Sequence, residues 1–106
     1  MSFFSSEIVK NELDEINEIQ VKIAKDVFKY PIMTLEEKRD HIKLLNTLLE
    51  KQQLMYTRLS LSDDPDAIKM KKGIEDSSRL LGFENNDVHS VFRSMKMTIK
   101  NLEQNL

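Results

Sequence analysis

Cysteine is absent from this 106-residue chain. That excludes disulfides, thiolate metal sites and a thiol nucleophile, and it fits a reducing cytoplasm. Glycine and proline occur only twice each. The usual punctuation of many short strands is therefore missing, and long helices are favoured. With glycine only at Gly73 and Gly82, a backbone cradle for nucleotide phosphates is implausible. No apolar run approaches the roughly 20 residues of a membrane-spanning helix. The N-terminus has neither the basic start nor the apolar stretch of a secretion signal. We expect a cytoplasmic protein that is not inserted in a membrane. An excess of one charge is lacking as well. The formal net charge is -2, with Lys and Arg interleaved among acids. No face is built to neutralise a run of phosphates, which makes a nucleic-acid partner unlikely.

What is present is an ordinary soluble mixture, 32% charged and 40% hydrophobic. The length suits one domain, residues 1–106, with a modest core and no room for a deep substrate cavity. The pattern predicts an all-α fold: a long antiparallel helical hairpin plus two shorter helices, bundle-like.

The first helix is expected from Ser5 to about Lys29. Ser5 is the candidate cap, and Phe4 with Val9 has hydrophobic-staple spacing. Val9, Leu13, Ile16, Ile23 and Val27 then recur at steps of three, four or their sum, which defines an inward stripe. Tyr30-Pro31 ends it, because the residue before proline is driven out of the α region. Thr34-Leu35-Glu36-Glu37 is a capping box that opens the second helix, expected to end near Ser60. Its apolar arc is broad, including Ile42, Leu45, Leu49, Tyr56 and Leu59. Ser62-Asp63-Asp64-Pro65-Asp66 is the strong break. Asp64 is the expected cap of a third helix with Pro65 at its first position. Gly73 in its middle suggests a close crossing or a small kink. Gly82-Phe83 reads as a left-handed C-cap with its apolar contact. The fourth helix should begin near Asn85 or Asn86. Val88, Phe92, Met95, Ile99, Leu102 and Leu106 give it a heptad-spaced stripe that reaches the terminus.

No motif for chemistry survives inspection. A di-iron bundle needs Glu three residues before each His, but Lys38 precedes His41 and Asn86 precedes His89 at that spacing. Glu37 and His41 form a lone i, i+4 pair, short of the three or four ligands of a zinc site. Asp63, Asp64 and Asp66 lack the central Gly and closing Glu of a calcium loop. There is no serine elbow and no pair of carboxylates in an apolar setting. We expect no enzyme activity, no cofactor and no resident metal. Six methionines are expected mainly in the core, with Met95 and Met97 as candidates for an adaptable surface.

Two segments carry a resemblance. Ser2-Phe3-Phe4-Ser5-Ser6-Glu7-Ile8-Val9 opens the chain, and Arg58-Leu59-Ser60-Leu61-Ser62-Asp63-Asp64 closes the second helix. In order, spacing and total length the chain resembles a small family of unknown function found in cyanobacteria and in the T4-like phages that infect them. The Lys, Asn and Ile content suits an AT-rich phage genome. The resemblance implies a phage or cyanobacterial cytoplasmic setting. It brings no catalytic residues with it.

The functional expectation is a protein–protein interaction module that modulates a host complex. Phe3, Phe4, Arg58 and Asp63 are the candidate partner-binding residues. Phe3 and Phe4 either fold back on the bundle or form an exposed hook. A stripe that reaches the terminus needs cover, from the first two helices or from a second copy. A homo-oligomer is therefore expected, with Met95, Ile99 and Leu102 at its interface. The alternative is a nucleic-acid-associated regulator using Lys69, Lys71, Lys72, Arg79, Arg93, Lys96 and Lys100.

Overall fold

A computed structural model describes residues 2–82 and 87–106. Its four α-helices are α1 (Glu7–Val27), α2 (Leu35–Ser60), α3 (Pro65–Leu80) and α4 (Val88–Gln104). Short 3-10 turns occupy Phe3–Ser5 and Tyr30–Ile32. No strand occurs among the described residues. The fold is the expected all-α, bundle-like one.

Local chemistry sets most boundaries. The Thr34 hydroxyl accepts the Glu37 amide at 3.1 Å, and the Glu37 carboxylate accepts the Thr34 amide at 3.1 Å. Both halves of the capping box are thus made, satisfying amides that have no partner inside the helix. The Thr34 amide first, and then the Thr34 hydroxyl, holds the Glu37 carboxyl below its usual range. Asp64 caps α3 by accepting the Asp66 amide at 2.8 Å, with Pro65 at the first helical position. Past the end of α3, Gly82 has φ 92°, the left-handed conformation expected of it. Its expected partner Phe83 lies outside the described residues.

Two boundaries differ from the sequence expectation. The cap of α1 is Ser6, not Ser5, and its side chain makes no capping bond. Ser5 belongs to the 3-10 turn, where its hydroxyl donates to the Ser2 carbonyl at 2.7 Å. Ser5 thus lies inside the turn, one residue before the boundary where a capping hydroxyl accepts from the first amides of α1. At the far end α1 stops at Val27, and the chain crosses to α2 through the second 3-10 turn, where Pro31 lacks an amide to continue a helix. The N-cap of α4 is Asp87, which accepts the Ser90 amide at 3.1 Å. The start expected at Asn85 or Asn86 falls outside the described residues.

The core has two parts, both built on α2. On one side Ile42, Leu49 and Tyr56 of α2 meet Val88, Phe92 and Ile99 of α4. On the other, Met55 and Leu59 of α2 meet Val9 and Ile16 of α1 and Ala67 of α3. Leu59 and Ala67 are 1% and 0% exposed, which marks where α3 turns back onto α2. The broad apolar arc read from α2 thus faces three helices at once. α1 and α4 each pack on α2 but make no extensive contact with each other. The molecule measures 46 × 33 × 18 Å.

Candidate functional site

The two segments that carry the family resemblance meet at one corner. The Phe3 amide donates to Asp64 Oδ2 at 2.7 Å while Asp64 Oδ1 caps α3. One carboxylate therefore ties the N-terminal turn to the start of α3. These amides, Phe3 first, hold the Asp64 carboxyl below its usual range. The rings of Phe3 and Phe4 pack edge to face, 5.0 Å apart, and lie half-buried on the Val9–Leu59 part of the core. Of the two expectations for this pair, folding back is the observed one. Arg58 reaches across to α1, with Nη2 donating to Glu12 Oε1 at 2.9 Å and Nε 2.7 Å from Oε2. Phe3 and Phe4 are thus brought together, and they and Arg58 are each engaged within the chain. Asp63 is exposed in the turn between α2 and α3. Asp64 does the fastening. The sequence marked it only as a cap, because its second partner lies 61 positions away.

The three candidate interface residues separate. Ile99 is 9% exposed and sits in the core against α2, with Leu102 packed on the same cluster. Met95 is 41% exposed. It stands on the rim of a groove that the sequence did not reveal.

That groove follows from the splay of α1 and α4. Between them and α3 a concavity of about 710 Å³ opens above α2. Its floor includes Met55, Tyr56 and Phe92, and its rim includes Met70 and Met95. Asn17, Gln20, Gln52, Ser77 and Ser78 supply its uncharged polar groups. None of the described lining residues is charged, in a chain where 32% of residues are. Tyr56 packs edge-on to Phe92 at 6.0 Å and donates weakly to Glu75 Oε1 at 3.4 Å. Burial, then the nearby Glu75 charge, pushes its hydroxyl pKa up, so the group stays neutral. The groove can bind apolar and neutral polar surface.

The remaining candidates for chemistry are dispersed. Among the described residues no three His, Asp or Glu side chains come together as a metal site. His41 is buried beside Tyr30, ring centroids 5.5 Å apart. His89 lies against Tyr56 at 5.8 Å. Of the basic residues, Lys71 pairs with Glu75 at 3.6 Å, Arg79 with Asp76, and Arg93 with Asp87 at 3.6 Å. Among the described residues no helix is long and apolar enough to cross a membrane.

Fold and surface together define a small all-α, bundle-like domain with an uncharged apolar groove among its described residues. Residues 1–106 match the family described as Domain of unknown function (DUF1825), and the chain belongs to it. No curated protein and no solved structure matched the chain.

Proposed function

We propose that this chain is a non-catalytic protein–protein interaction module that self-associates through the groove between α1, α3 and α4. In this reading it modulates a host complex in the cytoplasm of a cyanobacterium, or of one infected by a phage that encodes it. The observation that carries the proposal is the groove's combination of size, apolar floor and lack of charge among its described lining residues. Depletion of charge in the centre of a surface is what distinguishes an interface core from ordinary surface. Met55, Met70 and Met95 add side chains that adapt to an incoming surface at little strain. The pairing of Lys71, Arg79 and Arg93 with carboxylates favours a protein partner over a phosphate backbone.

Light scattering coupled to size exclusion tests the assembly. A mass of two or more chains at tens of micromolar is expected, and a single-chain mass overturns self-association. The modulator role is tested by comparing host proteins captured from infected and uninfected cyanobacterial lysates by wild type and by Met95→Glu. A partner lost with the variant is expected. Identical captures by the two proteins overturn the role of the groove.

A further inference from the structure

Gly73 has no reason to be glycine within a single chain. It lies in the middle of α3, where glycine is disfavoured over every residue except proline. Its backbone does not require glycine, since the positive φ belongs to Gly82. Packing does not require it either. A Cβ placed on Gly73 meets nothing within 4 Å among the described residues. The close crossing that its position suggests is therefore not made inside the chain. Yet Gly73 lines the groove, with Met70 and Ser77 one turn away on either side along the same face of α3. The result is a point of bare backbone at Gly73, at the mouth of an apolar, uncharged concavity. Bare backbone lets another helix approach at the short end of the usual range, about 8 Å between axes.

Surface area indicates what approaches. A compact 12.5 kDa monomer exposes about 6,200 Å² by the usual scaling, whereas this chain exposes 7614 Å². Its radius of gyration is 15.5 Å, against about 13 Å for a compact domain of this length. The excess, on the order of 1,400 Å² over the whole elongated chain, is comparable in size to the roughly 1,000–2,500 Å² that each chain contributes to an obligate homodimer. Charge points the same way. A groove shaped for a charged ligand would carry complementary charge. Two copies of a neutral surface instead meet without like-charge repulsion. Closed two-fold pairing places the same helix against itself at the axis.

We propose that a second copy of this chain covers the groove, with α3 crossing its counterpart at Gly73 and Met70 and Met95 of each copy entering the groove of the other. This rests on the self-association reading above and adds the helix, the crossing point and the symmetry. It places the centre of the contact on α3.

The test uses the full chain in sedimentation equilibrium, comparing wild type with Gly73→Gln. Glutamine is a good helix former and has open space at this position in the single chain. The expected result is a dimeric wild type and a variant whose dimer dissociation constant is raised at least thirtyfold. Its helical circular dichroism should be retained and its denaturation midpoint at high dilution unchanged or raised. A variant that dimerises like wild type overturns the α3 crossing and leaves self-association standing. A monomeric wild type overturns both and returns the groove to an unrelated protein. Loss of helicity in the variant shows that Gly73 serves the single chain, which also overturns the proposal. A second readout exploits the absence of cysteine. Ser77→Cys should link to its own copy with a short bis-maleimide, while Phe28→Cys at the distant hairpin tip should not. Equal linking at both positions, or linking only at Phe28→Cys, counts against the crossing.

Discussion

The Phe3 amide and the Asp64 carboxylate join the first turn of the chain to the start of α3 across 61 positions. The same carboxylate caps α3 with its other oxygen. Asp64→Ala should therefore lower the urea midpoint more than loss of a cap alone. Asp64→Asn keeps one acceptor oxygen and should fall between alanine and wild type.

Acid should reveal the same contact. The folded-state pKa of Asp64 is depressed, first by the Phe3 amide and then by the Asp66 amide. Its contribution to stability is thus complete above the unfolded value, near 3.8, and is lost as pH falls through the lowered value. The stability gap between wild type and Asp64→Asn should be constant from pH 7 to about 5 and should shrink below about 4. Urea titrations at several pH values measure it. A gap that widens in acid would contradict the assignment.

Thr34→Ala removes one half of a reciprocal pair whose two bonds are both 3.1 Å. A loss of about 1 kcal/mol is expected, read as a lower denaturation midpoint with unchanged urea dependence. Glu37→Gln preserves an acceptor and should cost less.

The Arg58–Glu12 contact clamps α2 to α1, and its side chains are 37% and 21% exposed. Both side chains are partly exposed although Arg58 Nε and Glu12 Oε2 themselves are shielded, and a double-mutant cycle with alanine should give a coupling of about 1 kcal/mol. The coupling should weaken in high salt. A coupling near zero at low salt would show that the two arms of the hairpin do not depend on the clamp.

Much of this fold was legible because it is written locally. The capping box at Thr34, the Asp64-Pro65 start and the left-handed Gly82 each need only a few neighbouring residues. What was hidden depends on residues distant in sequence. Nothing near Ser5 says that its hydroxyl turns to Ser2, because Phe3 and Phe4 are drawn onto a core assembled from α1, α2 and α3. Nothing near Asp64 announces Phe3. The groove was least legible. It arises from the angle between α1 and α4, which periodicity does not encode. Its uncharged lining becomes visible only when residues from all four helices are placed side by side.

Met95 and Ile99 lie four residues apart on one stripe, and heptad spacing assigns both to the same contact. The structure divides them. Ile99 is 9% exposed and packed among Ile42, Leu49 and Phe92, whereas Met95 is 41% exposed on the groove rim. A charge should therefore act differently at the two positions. In Ile99→Glu the carboxylate would be forced into the α2–α4 core without a partner, and burying such a charge costs enough to unfold a small domain. In Met95→Glu the carboxylate stays in water in the single chain and is buried only when the groove is covered. Ile99→Glu should lose its cooperative thermal transition. Met95→Glu should keep that transition at high dilution while its mass by light scattering drops to one chain. A folded, dimeric Ile99→Glu would place that residue outside the core. A Met95→Glu that remains dimeric would remove the groove rim from the interface.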